Sequence, residues 1–180
     1  PLWSDGVSVP QAAEERKMMR RMLQVLVVIA LAAEASATTW YVNGTCGSDA
    51  WQGTDSACAA PSGPKATIQA AIDAAVSGDT IQVASGTYVG TGNTALNFNG
   101  KDLHLQSADG AATCIIDCQS TSRAFYLVSG ETAAAVIDGF TLINGAATGS
   151  GEDAYGGAVY CVDSNAVLLN PNSSMGEALQ

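Results

Sequence analysis

The sequence predicts an all-β fold: a right-handed parallel β-helix (solenoid) with an N-terminal capping α-helix, truncated after about three coils. Three observations predict it. The 180 residues are 47% hydrophobic but only 13% charged and 6% aromatic, and 19 are Gly, a balance that suits short strands joined by tight turns better than a helical bundle. Ile81, Leu103 and Phe125 are evenly spaced, and Ile115 and Ile137 share the interval, so two apolar columns imply one coil of about 22 residues. The stretch from Ala66 to Val89 changes from helical to alternating apolar spacing halfway along. A single layer of short strands cannot bury its apolar face, whereas stacked layers pair their backbones around a continuous core. Right-handed coiling is the expected hand for parallel crossovers.

Residues 1–17 read as a leader upstream of Met18 and Met19, the expected starts. Residues 18–37 read as a bacterial-type signal peptide. Arg20 and Arg21 precede an apolar run from Met22 to Ala33, and Ala35-Ser36-Ala37 supplies a small-x-small site whose cleavage leaves Thr38 first. That run is well short of the roughly 20 residues that span a bilayer. The expected location is therefore secreted or cell surface, with no membrane span in the mature chain. Removing residues 1–37 takes four acids from 17 and four bases from seven, so 13 acids and three bases remain and the net charge stays −10. Such a surface repels nucleic acid and anionic membranes.

Residues 38–66 form an N-terminal strand, Thr39 to Val42, and a Gly-rich loop ending in Pro61-Ser62-Gly63-Pro64. Cys46 and Cys58 flank part of that loop and are the disulfide candidates, since it has no periodicity to hold it otherwise and export permits oxidation. Residues 67–169 carry the capping helix and the coils. The helix starts at Ala66 or Thr67 and places Ile68, Ala71, Ile72, Ala75 and Val76 on one face, and Ser77-Gly78-Asp79 stops it. It is expected to cover the apolar end and open strand edges of the first coil. Strands follow at Thr80–Val83 and Thr87–Val89 and in the segments DLHLQ, CIID, AFYLV and VID. Asn97 to Gly100, Ala108 to Gly110, Ser129-Gly130 and Asn144-Gly145 mark turns between them.

Extended chain would separate the Cα atoms of Cys114 and Cys118 by about 13 Å, beyond the reach of a disulfide. They pair only if CIIDC bends sharply; otherwise they are two small buried residues. Cys161 is left over, either awaiting a partner beyond this chain's end or packing as a small hydrophobe. Residues 170–180 lack strand alternation and form an off-pattern tail, leaving an open last rung through which the isolated chain is expected to associate.

The segments WYVNG, GSDAWQGT, ATIQAAIDAAVSGDTIQVASGTYVG, CIIDC, VIDGFTLING and GGAVYC resemble the N-terminal part of secreted bacterial right-handed parallel β-helix proteins of the pectin-lyase-like superfamily, from Thr39 to about Cys161. The resemblance implies the fold, with downstream coils as the neighbours of this segment, and leaves activity open, because the superfamily holds lyases, hydrolases and adhesins. Lyases of the superfamily use Ca²⁺-binding acids with an Arg or Lys base. Here Lys65 and Lys101 sit in turns, and Arg123 precedes a strand without an Asp-rich partner. Asp117 and Asp138 are nearly one such period apart and would be neighbours on successive coils. They and the loop acids Asp49 and Asp55 are the candidate Ca²⁺ ligands, against a role in turns that bond backbone amides. His104 alternates with Leu103 and Leu105 and points outward. Tyr126 and Tyr155 are the candidate carbohydrate contacts, with Trp40 and Tyr88 as further aromatics, and the loop from Gly145 to Gly157 is the candidate binding rim. The expected function is a non-enzymatic β-helix segment in adhesion or carbohydrate contact, with no cofactor except calcium. The alternative is the front end of a polysaccharide lyase or glycoside hydrolase whose active coils lie downstream.

Overall fold

A computed structural model describes residues 14–22, 36–147, 157–169 and 172–173. The chain divides into two compact units, Pro1–Ser36 and Ala37–Gln180. In the first, residues 14–22 form helix α1, with every side chain exposed. Its Lys17–Glu14 contact of 3.5 Å is solvated and contributes little. The rest of the apolar run after Met22, and Ala35, lie outside the described residues. No helix among those described is long and apolar enough to cross a membrane.

The described residues of the second unit lie mostly in short strands in parallel sheets, and among them one helix, α2 (Ile68–Ala74), is found. The first sheet runs β1 (Thr39–Val42), β2 (Thr80–Val83), β4 (His104–Ser107), β7 (Val136–Asp138), β10 (Val167–Leu169). The second runs β3 (Gly86–Val89), β5 (Cys114–Asp117), β8 (Thr141–Ile143), β11 (Asn172–Ser173). The third pairs β6 (Phe125–Leu127) with β9 (Val159–Cys161). Period-two alternation sends one set of side chains inward: Ile81, Leu105 and Ile137 stack in register in the first sheet, and Tyr88, Ile116 and Leu142 in the second. Each turn signal holds a residue in the left-handed region, at Asn99, Gly100, Gly110, Gly130 and Asn144.

The evenly spaced apolar columns are not the structural ones. Ile81 pairs with Leu105 and Leu105 with Ile137, at intervals that differ from each other and from the expected period. Leu103 is buried ahead of β4, Phe125 belongs to the third sheet, and Ile115 pairs with Thr141 instead of Ile137. Parallel pairing is made by backbone groups, so loops of unequal length can separate paired strands without breaking the ladder. The same reason explains the tail: Asn172–Ser173 pairs in parallel with Thr141–Leu142 although its sequence does not alternate.

Helix α2 begins at Thr67, whose hydroxyl accepts from the Ala70 N–H at 3.3 Å. It buries Ile68, Ala71 and Ile72 and packs against β1 and β2. It ends at Ala74, before the expected stop, because the C-cap Ala75 is already extended (ψ 158°). Val76 therefore leaves the apolar face and is 57% exposed. The outer edge of β1 is covered by the loop rather than the helix. Tyr41 N–H donates to Gly53 O at 2.7 Å, Asn43 N–H to Lys65 O at 2.9 Å, and Lys65 N–H to Tyr41 O at 2.8 Å. Cys46 and Cys58 are joined by a disulfide within that loop.

Candidate functional site

The outward face of the third sheet gathers the residues best arranged to hold a ligand. In β6, Phe125 and Leu127 point into the core, which turns Tyr126 outward. Register puts Tyr126 directly opposite Tyr160 of β9. Their rings stack with centroids 5.0 Å apart and planes 12° from parallel. The Arg123 guanidinium carbon lies 4.9 Å from the centre of the Tyr160 ring, a cation–π contact. Arg123 is 7% exposed, so it does not face outward as a solvent-facing base would. The two stacked phenols are both half-buried, so part of each ring remains at the surface.

Tyr160 is absent from the aromatics that the sequence reading expects at a ligand. The sequence does carry a signal for it: Ala124-Phe125-Tyr126-Leu127-Val128 recurs in kind as Ala158-Val159-Tyr160-Cys161-Val162. Tyr155 and most of the candidate rim, residues 148–156, lie outside the described residues. Trp40 and Tyr88 are structural. Trp40 Nε1–H donates to Asp79 Oδ2 at 2.8 Å. Tyr88 is buried, donates to Ala84 O at 2.9 Å, and burial pushes its hydroxyl up to about 12.

The candidate Ca²⁺ ligands do not converge. Asp49 Oδ1 accepts from the amides of Ala66 and Thr67 at 2.8 and 2.9 Å, and its Oδ2 from the Thr67 hydroxyl at 2.9 Å, which ties the loop to the start of α2. Asp55 Oδ1 accepts from the Ala57 N–H. Asp117 Oδ1 accepts from Asn144 Nδ2 at 2.8 Å and Gln119 N at 2.9 Å; the Asn144 amide, then the Gln119 amide, hold its carboxyl below the usual range. Asp138 is not its neighbour: β5 and β7 belong to different sheets. Among the described residues no group of three or more His, Cys, Asp or Glu is gathered for a metal ion. These acids do not fit the six to eight oxygens that Ca²⁺ takes. Asp49→Ala is expected to cost about 1 kcal/mol, the scale of a lost helix cap, with no change in the response to Ca²⁺. Thermal unfolding with and without Ca²⁺ checks it, and a Ca²⁺-dependent gain that the substitution abolishes would count against the assignment.

The remaining thiols offer no nucleophile in the core. Cys114 and Cys118 both lie buried and unpaired on the inward side of the extended CIIDC segment, and burial pushes each up to about 11. Cys161 is exposed instead of packing as a small hydrophobe, with its Sγ 3.2 Å from Ser164 O. His104, expected outside, is half-buried, and its Nε2 is enclosed without a hydrogen-bond partner. Comparison of this chain with protein-family models, with curated proteins and with solved structures finds no match.

Proposed function

We propose that this chain is the N-terminal part of an exported right-handed parallel β-helix of a cell-surface or extracellular protein, and that it contacts carbohydrate through the Tyr126–Tyr160 ladder without catalysing a reaction. The ladder is the observation that carries the functional reading. The solenoid is supported by the order in which strands visit the sheets: β4, β5 and β6 enter the first, second and third in turn, and β7, β8 and β9 repeat that order. A net charge of −10 favours neutral glycans over polyanionic ones.

Affinity electrophoresis of the full chain through gels containing a neutral glucan, a neutral xylan or polygalacturonate tests the proposal. Retardation by a neutral glycan is expected. Tyr160→Ala is expected to weaken it about tenfold, the scale of a lost stacking contact, while Val89→Ala on the exposed side of β3 leaves it unchanged. Binding that survives Tyr160→Ala, or no retardation by any glycan, overturns the assignment. Release of unsaturated product from polygalacturonate with Ca²⁺ would favour the lyase alternative.

A further inference from the structure

A buried carboxylate receives the backbone where the second compact unit begins. Asp79 is 2% exposed. Its Oδ1 accepts from the Thr38 N–H at 2.7 Å, and its Oδ2 from Trp40 Nε1–H at 2.8 Å and the Val76 N–H at 2.9 Å. None of these donors carries a charge. Thr38 is held on its other side as well, since its carbonyl accepts from the Thr80 N–H at 2.9 Å. Immediately before it, Ser36 and Ala37 are exposed. Residues on one side of the Ala37–Thr38 bond are thus open to a peptidase, and the nitrogen on the other is already seated on a carboxylate.

We propose that the Ala37–Thr38 bond is a processing site and that the amine released there docks as an ammonium on Asp79. The position of the cut rests on the export proposal, because Ala35-Ser36-Ala37 is the small-x-small site of a signal peptidase. In the cut, water adds across the amide: its oxygen stays on the Ala37 carboxylate, and Thr38 leaves as an amine that takes up a proton. The Thr38 nitrogen keeps its place, and a neutral N–H donor becomes a charged one facing a buried anion. A cut one residue earlier or later would put the new charge on a different nitrogen.

The surrounding charges leave this role open. Lys101 adds a favourable field at Asp79, but its Nζ donates to the carbonyls of Ile72 and Asp73 at 2.8 and 3.2 Å. Asp73 Oδ1 accepts from Gln69 Nε2, and the Asp102 carboxylate accepts from the amide and hydroxyl of Thr132.

The test compares the full chain, kept uncut by Ala37→Leu, with the product of cutting the full chain in vitro with purified bacterial signal peptidase. Cutting is expected to raise the folding equilibrium constant at least about tenfold in urea titrations, as a charged bond replaces a neutral one, and Asp79→Asn is expected to erase that gain. If the Asp79 variant does not fold, acylation of the Thr38 amine at pH 7 serves instead: in the cut, folded wild-type chain it is expected to run at least about tenfold slower than in the urea-unfolded chain, whose α-amine has an ordinary value near 8. Equal acylation rates, a gain that survives Asp79→Asn, or cutting at another bond overturns the proposal. Expression in an exporting host is a separate arm. Failure of export with docking intact in vitro sinks the export proposal and supports the docking, whereas export with no protected amine does the reverse.

Discussion

Phe125→Ala is expected to lower the free energy of unfolding by about 3–5 kcal/mol, the range for deleting a fully buried aromatic ring. Phe125 has no exposed surface and sits in the core cluster with Phe98 and Phe140. Its backbone is also tied to both neighbours, through a bridge to Leu96 and pairing with Val159. The strand is therefore poorly placed to move inward and fill the void, which puts the cost in the upper part of that range. Since small domains are stable by only about 5–15 kcal/mol, the loss is a large share of the total. Val76→Ala, at a 57% exposed position, is expected to change stability by less than about 0.5 kcal/mol. Urea midpoints of the two variants check the contrast, and equal midpoints would mean that the third sheet is not packed on the core. Tyr126 follows Phe125 in β6, so the same variant is expected to lose glycan binding together with stability.

Glu131→Ala is expected to cost about 1.5–3 kcal/mol, the scale of hydrogen bonds to a charged acceptor, since Gly100 and Ser129, which donate to it, are themselves exposed to water. Glu131 is 1% exposed, its Oε1 accepts from the Gly100 N–H at 3.0 Å and its Oε2 from the Ser129 N–H at 3.1 Å. Burial pushes its carboxyl up, but the amides of Glu131, Gly100 and Ser129 outweigh burial and leave it below its ordinary value of 4.5. A depressed carboxyl stabilises the fold above its unfolded value, and that contribution is lost as pH falls from about 4.5 through the folded value. Glu131→Gln keeps one acceptor and removes the charge. It is expected to be less costly than Ala and to flatten the part of the acid loss that belongs to this site. Denaturation midpoints between neutral pH and about pH 3 measure it. A variant whose midpoint falls as steeply with acid as the wild type would show that other acids, such as Asp79, which is also held low, carry the dependence.

Much of the local structure is legible in the sequence. Thr67 caps a helix because a hydroxyl at that position meets the orphan amide of Ala70, and Thr80–Val83 and CIID are strands because their inward positions are apolar and alternate. The candidate site is half legible. Tyr126 stands out as an aromatic between two inward apolar residues, whereas its partner Tyr160 is marked only by the likeness of its segment to that of Tyr126, because the third sheet pairs them across more than the single period that the apolar columns suggest. The acids are the opposite case, since Asp117 and Asp138 stand close in a linear repeat and in separate sheets in the fold.

By itself the sequence determined where β1 to β7, the turns between them and the start of the helix lie, since these depend on residue types within a few positions of one another. Only the tertiary structure decided which strands are neighbours. Parallel ladders are built from backbone groups identical at every residue, so side chains fix which face of a strand turns inward but not which strand lies beside it, and the chain between paired residues is free to be short, as from Ile81 to Leu105, or long, as from Tyr126 to Tyr160. It also decided that Asp79 and Glu131 are buried. Both follow a glycine in a turn, where an acid is ordinarily solvated, and only the arrival of donors from Thr38, Trp40 and Gly100, all distant in sequence, makes burying those charges affordable.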